Sequence, residues 1–318
     1  MRDGARFFVT GATGLIGSAL CRTLVRQGFE VVAFVRDPAK ARMRLDSGIE
    51  LCVGDVTEPI RHGKGVDYLI HAAGETSSAE FVRHPAEVVD SIVSGTRNAL
   101  KFAREKNVRG MVFLSTMEVY GLTDSENVDE TDFAALDTMT PRSCYPEAKR
   151  LSECLCASMA NEYGVPVKVA RLTQTFGAGV RRGDKRVFAQ FAEAVLERRD
   201  IVLKGDGKTA RCYCSVEDAV SAILTILEKG TPGLAYNVAN PDTFCTIREM
   251  AELVSREFSA GRSKVVVEGG DTEGCGYLPP FRMKLSVDRL SALGWKPRVG
   301  LKEMYGQLIA SLKGSSHE

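Results

Sequence analysis

Residues Gly11-Ala-Thr-Gly14-Leu-Ile-Gly17 limit what this chain can become more than any other stretch. They follow directly on Arg6-Phe-Phe-Val-Thr10, an apolar, β-prone run that reads as a buried strand. Ser18 to Gln27 then carries helical periodicity. A strand, a glycine-rich turn and a helix N-terminus in that order suit a pyrophosphate. Gly11 permits the tight turn, Gly14 lets backbone N–H groups approach, and Gly17 lets the helix pack on the sheet. The helix N-terminus adds positive potential. The spacing G-x-x-G-x-x-G predicts a dinucleotide site whose loop also includes Thr13, Leu15 and Ile16.

The chain downstream continues the same pattern. Glu30–Val35 is a second strand, ending in Arg36-Asp37-Pro38. The tip of this strand meets the adenosine ribose, where an acid suits NAD and an arginine suits the phosphate of NADP. Arg36 at the tip favours NADP; Asp37 contacting the ribose is the alternative. Asp55 and Val56 follow a third strand, and Asp55 can accept from an adenine amino group or cap a turn. Asp67 to Gly74 is a strand ending in Ala72, Ala73 and Gly74, which let a cofactor pass close to the backbone. His71 within it reads as a packed core histidine. Gly110–Ser115 is another strand, and Ser115, Thr116 and Glu118 stand at its carboxyl end, where open α/β sheets place ligands. Strands and helices alternate through the first 170 residues or so, predicting an α/β, Rossmann-type, doubly wound parallel sheet.

Tyr145 and Lys149 lie four residues apart near the start of a helix that Pro146 suits. A free phenol, with a pKa of about 10, is a poor base near neutrality. A fixed ammonium beside it favours the phenolate, so the pair can transfer protons. After Gly177 the texture changes to short strands, helices and Gly- and Arg-rich loops, too interrupted for a second sheet domain. The expected division is 1–172 as the dinucleotide-binding domain, with later contributions from about 209–240. Residues 173–208 and 241–318 form a smaller C-terminal α/β substrate cap. Thr246 and Glu249 predict a capping box there. Gly269, Gly270, Gly274, Gly276, Pro279 and Pro280 mark an irregular, partly mobile stretch.

Lys and Arg total 42 against 41 Asp and Glu, a balance that gives no pull toward nucleic acid or anionic membrane. No apolar run is long enough to span a bilayer, and the first residues are not a signal peptide. A cytoplasmic protein is expected. The nine scattered cysteines read as small buried side chains, and no closed metal-ligand set can be assembled from them.

With these residues in order, the chain resembles the extended short-chain dehydrogenase/reductase family, and within it the nucleotide-sugar epimerase/dehydratase group. The resemblance covers nearly the whole length. It rests on Gly11–Gly17, His71-Ala-Ala73, Leu114-Ser-Thr-Met-Glu-Val-Tyr-Gly121 and Tyr145-x-x-x-Lys149. Arg171-Leu-Thr-Gln-Thr-Phe-Gly177, Gly205-Asp-Gly-Lys-Thr-Ala-Arg211, Val216–Val220, Tyr236–Asn240 and Leu293–Pro297 complete it. It implies NAD(P), a nucleotide-diphosphate sugar oxidised transiently at C4, and a homodimer formed through the helices holding residues 85–105 and 146–163. Tyr145 would take the hydroxyl proton, Lys149 would lower its pKa and bind the nicotinamide ribose, and Thr116 would bond the same hydroxyl. Gln174, Arg211 and Arg282 would hold the sugar or diphosphate, and Thr76 lies on a loop that often meets substrate. Dehydratases of the group carry an Asp where this chain has Met117, which has no proton to give. Epimerisation is therefore the first expectation. Dehydration or decarboxylation through Glu118 comes next, then NADPH-dependent carbonyl reduction.

Overall fold

The computed structural model describes residues 1, 4–268 and 281–314. β1 (Arg6–Thr10) runs into α1 (Leu15–Arg26). β2 (Glu30–Val35), α2 (Pro38–Arg42), β3 (Glu50–Val53), β4 (Tyr68–His71), α3 (Ser78–Arg83), α4 (Pro85–Glu105) and β5 (Gly110–Thr116) follow. Next come β6 (Asp124–Val128), α5 (Cys144–Tyr163), β7 (Val167–Leu172), β8 (Gln174–Phe176), α6 (Val187–Leu196) and β9 (Ile201–Leu203). The chain continues through β10 (Ala210–Ser215), α7 (Val216–Lys229), β11 (Ala235–Val238), β12 (Asn240–Thr246) and α8 (Ile247–Phe258). β13 (Val265–Val267), β14 (Arg282–Leu285), α9 (Asp288–Ser291) and α10 (Leu301–Gly314) complete it.

The main sheet has seven strands in the order β3-β2-β1-β4-β5-β7-β11. Every pairing in it is parallel. Both faces are covered, which is why its strands read as unbroken apolar runs. Phe7 and Val9 pack on one face with Leu20 and Leu24 of α1, whereas Phe8 packs on the other with Leu100 and Phe102 of α4. Each fully buried Phe contributes roughly 1.5–3 kcal/mol of apolar transfer. Strand order reverses between β1 and β4, and the crevice outside their carboxyl ends is where this architecture takes a ligand.

A second sheet, not expected from the sequence, joins β12-β10-β14-β6, with β8 paired to β10. Its strands are short and come from both halves of the chain, so no local alternation announces them. Ala210–Ser215, which the sequence groups with the dinucleotide-binding domain, pairs in this sheet, while β11 pairs in the main one. The capping box of α8 is present: Glu249 N–H donates to Thr246 Oγ1 at 3.0 Å, and Thr246 N–H donates to Glu249 Oε2 at 2.7 Å. The stretch holding Gly269, Gly270, Gly274, Gly276, Pro279 and Pro280 lies outside the described residues.

Candidate active site

The glycine turn closes as its spacing predicts. Gly11 has φ +66°, and a Cβ there would sit 2.5 Å from the Ala72 carbonyl on β4's extension. A Cβ on Gly17 would overlap the Gly11 carbonyl oxygen. Gly14 N–H donates to that carbonyl at 2.9 Å. α1 starts at Leu15 with no side-chain cap and no acid in its first turn, so its N-terminal amides remain available to an anion. These residues fit the pyrophosphate of a dinucleotide. The Arg44 guanidinium, which no motif points to, donates to the Thr13 carbonyl and adds a cation at the loop.

At the tip of β2 the Arg36 side chain is 80% exposed and lies 4.0 Å from Asp55. Asp37 caps α2, accepting from Lys40 N–H at 3.1 Å. Asp55 accepts from the Thr57 amide and hydroxyl, both at 2.9 Å. Ala73 N–H donates to Thr10 Oγ1 at 3.2 Å, and Thr10 Oγ1 also lies 2.7 Å from His71 Nδ1. His71 is fully buried, and that burial, with Lys149 nearby, pushes its pKa down to about 3, so it is a neutral core residue.

Thr116 and Tyr145 meet through a hydrogen bond, but Lys149 is given to the Leu114 carbonyl and its charge is not among those that lower the Tyr145 pKa, which burial raises, so the phenolate-favouring pair expected from the spacing is not formed. Tyr145 opens α5 and is 7% exposed. Burial raises its pKa, and the Glu118 charge raises it further, while a hydrogen bond with Thr116 and the charges of Arg142 and Arg186 pull it back. Lys149, one turn on, donates to the Leu114 carbonyl at 2.7 Å. Its Nζ lies 4.6 Å from the centre of the Phe113 ring and 6.0 Å from that of Tyr145. Burial lowers the Lys149 pKa to about 8, against the opposing pull of Glu153. Beside the phenol, Glu118 pairs with Arg142 at 2.8 Å. The Phe81 ring stacks on Tyr145 with centroids 4.4 Å apart.

Other candidates sit differently. Ser115, next to Thr116 but alternating across β5, donates to Glu153 Oε1 at 2.5 Å. Glu153 in turn pairs with Arg171 at 2.7 Å. Arg171 also donates to the Tyr120 hydroxyl at 3.0 Å, and Tyr120 donates to Asn237 at 2.6 Å. This buried network ties β5, α5, β7 and β11 together. Met117 is 3% exposed and accepts a contact from the Thr173 hydroxyl at 3.3 Å, so it serves as core. Thr76 is exposed on a loop whose Thr76 and Ser77 amides donate to Glu75 at 2.8 and 2.7 Å. Gln174 is half-buried and registers with Tyr213. Arg211 has a buried Nε with no hydrogen-bond partner and stacks 4.9 Å from the Phe281 ring centre. Arg282 registers with Ala210, one residue before Arg211, which puts the two arginines on opposite faces of the second sheet. Arg282 pairs there with Glu126. Arg142, Arg186, Phe81 and Arg44 were not legible as site residues, because each arrives from a loop or short element whose path the sequence does not specify. Among the described residues, no three His, Cys, Asp or Glu side chains gather as a metal site, and no helix is long and apolar enough to cross a membrane.

The model of the NAD dependent epimerase/dehydratase family matches residues 7–239. The chain belongs to this family. UDP-glucuronic acid decarboxylase 1 of Danio rerio is 29% identical over 316 residues, covering 97% of this chain and 72% of the relative. The solved UDP-glucose 4-epimerase of Thermotoga maritima, with UDP-glucose, superposes with a TM-score of 0.85 at 23% identity, covering 98% and 100% of the two chains. A solved UDP-galactose 4-epimerase is 27% identical, with a TM-score of 0.79 and coverage of 98% and 99%. As a family member the protein is an NAD-dependent enzyme of the extended short-chain dehydrogenase/reductase type, and its Rossmann fold is that of these neighbours.

Proposed function

We propose that the protein oxidises C4 of a nucleotide-diphosphate sugar transiently, and that the sugar is a uronic acid that loses carbon dioxide. The observation that supports the oxidation is the hydrogen bond of Thr116 with Tyr145 at the carboxyl end of β5, with Lys149 one turn further along α5 and bonded to the Leu114 carbonyl of the same strand. Bound nicotinamide cofactor would supply hydride transfer at C4. The protein's part is the proton: Thr116 bonds Tyr145, which as phenolate is placed to take the C4 hydroxyl proton, becoming the phenol, and as phenol to return it. A 4-keto uronic acid is a β-keto acid. Its C5–C6 bond breaks with the electron pair flowing to the C4 carbonyl, carbon dioxide leaves, and C5 takes a proton. That sequence needs no acid to protonate departing water, so a buried Met117 does not obstruct it. The similarity to UDP-glucuronic acid decarboxylases supports the same reading. Epimerisation is the second reading, favoured by the 27% identity to a UDP-galactose 4-epimerase.

NADP rather than NAD suits the β2 tip, because the Asp37 carboxylate is engaged in capping α2 while Arg36 projects into solvent. A homodimer through α4 and α5 is supported by their side-by-side packing and by Leu151 and Tyr163 exposed on α5. The eight described cysteines are all free, in keeping with a reducing, cytoplasmic compartment. Incubation with UDP-glucuronic acid, read by product mass, tests the function. Loss of carbon dioxide supports it; an unchanged mass with a new stereoisomer replaces it by epimerisation.

A further inference from the structure

Arg44 reaches the glycine turn from outside every motif. Asp37 caps α2, and Ala41 and Leu45 are buried in the same core cluster as Leu20 and Leu24 of α1. Between Ala41 and Leu45 the chain leaves the helix, with the Arg44 and Leu45 amides donating to the Ala41 carbonyl at 3.0 and 2.9 Å. The half-buried Arg44 side chain crosses from there to the turn, 31 residues back in sequence, where Nη1 donates to the Thr13 carbonyl. That carbonyl belongs to the same peptide group as the Gly14 N–H, which donates to the Gly11 carbonyl at 2.9 Å. A trans peptide is planar, and its C=O and N–H point to opposite edges. One bond at each edge therefore fixes the orientation of the whole group. Gly14 itself imposes little, since glycine adopts many backbone conformations. It is the N-cap of α1, and Ser18 N–H donates to its carbonyl at 3.0 Å to begin the helix. The Leu15, Ile16 and Gly17 amides, which that helix start leaves for an anion, follow directly on the fixed group.

We propose that Arg44 is a positioning residue for the cofactor. By holding the Thr13 carbonyl it locks the Thr13–Gly14 peptide group, and with it the α1 amides, in the orientation that receives the pyrophosphate. Its charge works in the same direction, because a guanidinium bonded to a neutral carbonyl keeps its positive charge at a turn that binds an anion. The role differs from that of Arg36, which stands at the β2 tip with its side chain 80% exposed. Arg36 can tell NADP from NAD, whereas Arg44 acts on the pyrophosphate that both cofactors share. The inference does not depend on which sugar is turned over.

The test is titration of the full-length protein with NAD, NADP and ADP. ADP keeps the pyrophosphate but lacks the nicotinamide ribose, so Tyr145 and Lys149 do not enter its binding. Arg44→Met should weaken all three by roughly tenfold, the loss of one charge-assisted hydrogen bond. Arg44→Lys, which keeps a charged donor, should recover affinity to within about threefold of the parent. The urea midpoint of cofactor-free Arg44→Met should match that of the parent, and its hydrogen exchange should quicken over residues 11–17 but not over 110–116. Unchanged affinities in Arg44→Met overturn the proposal. So does a loss confined to NADP, which would place Arg44 on the extra phosphate instead of the turn. A loss that Arg44→Lys leaves unrepaired, together with a lowered urea midpoint, overturns it as well, being the mark of a merely structural role.

Discussion

Replacing Lys149 by Met should abolish turnover while leaving the fold at least as stable near neutral pH. The ammonium is 4% exposed, and burial brings its pKa from 10.5 to about 8. That difference makes the charged form cost about 3 kcal/mol more in the native protein than in the unfolded chain. Met fills a similar volume without charge, but it leaves the Leu114 carbonyl without the donor now 2.7 Å away, which costs about 1–3 kcal/mol. The net expectation at about pH 7 is a variant more stable than the parent by roughly 1 kcal/mol. The sign of the pH dependence follows from the same numbers. Below a pH of about 8 both states of the parent carry the proton, and the native state bears the burial cost in full. Between about 8 and 10.5 the native amine is neutral while the unfolded one is still charged, so the parent gains stability relative to the variant as pH rises. Above 10.5 the cost is gone. Urea unfolding of both proteins across this range should therefore show the variant's advantage shrinking by about 3 kcal/mol and reversing. A variant already less stable by more than about 2 kcal/mol at neutral pH, with a difference that ignores pH, would refute the reasoning.

Three further perturbations address the rest of the site. Tyr145→Phe removes the phenol but keeps the ring on Phe81, so turnover should drop by roughly 10²–10⁴ with cofactor binding retained; wild-type turnover would remove the proton-transfer role. Gly17→Ala drives a methyl into the Gly11 carbonyl, and should cost about 1–3 kcal/mol in thermal or urea unfolding and weaken cofactor binding in a titration. Arg36→Ala should weaken NADP more than NAD in fluorescence titrations, and equal losses would sink the NADP assignment.

The first half of the chain was readable because its signals are local. The Gly11–Gly17 turn needs glycines for contacts made within the turn and with the neighbouring strand, and Phe7, Phe8 and Val9 advertise a strand buried on both faces. Tyr145 and Lys149 were found through helical spacing. The second sheet was not readable, since β6 and β14, paired in it, lie more than a hundred residues apart. Side-chain direction also escaped. Ser115 stands at a strand tip like Thr116, but alternation turns it toward Glu153 and a structural network. Arg211 and Arg282 share a charge and a sheet, yet a one-residue difference in register puts them on opposite faces. Arg142 resembles any loop cation until the fold lays it over Phe81 and against Glu118.

The central claim is transient oxidation: a C4 hydride leaves the sugar and comes back, with Tyr145 handling the proton. Full-length protein carrying NAD or NADP, given UDP-glucuronic acid deuterated at C4, tests it most directly by product mass and cofactor absorbance read together. The account predicts loss of carbon dioxide, deuterium retained at C4 of the pentose product, and no net change in cofactor. Cofactor consumed one-for-one with product, or deuterium lost to solvent, would contradict it.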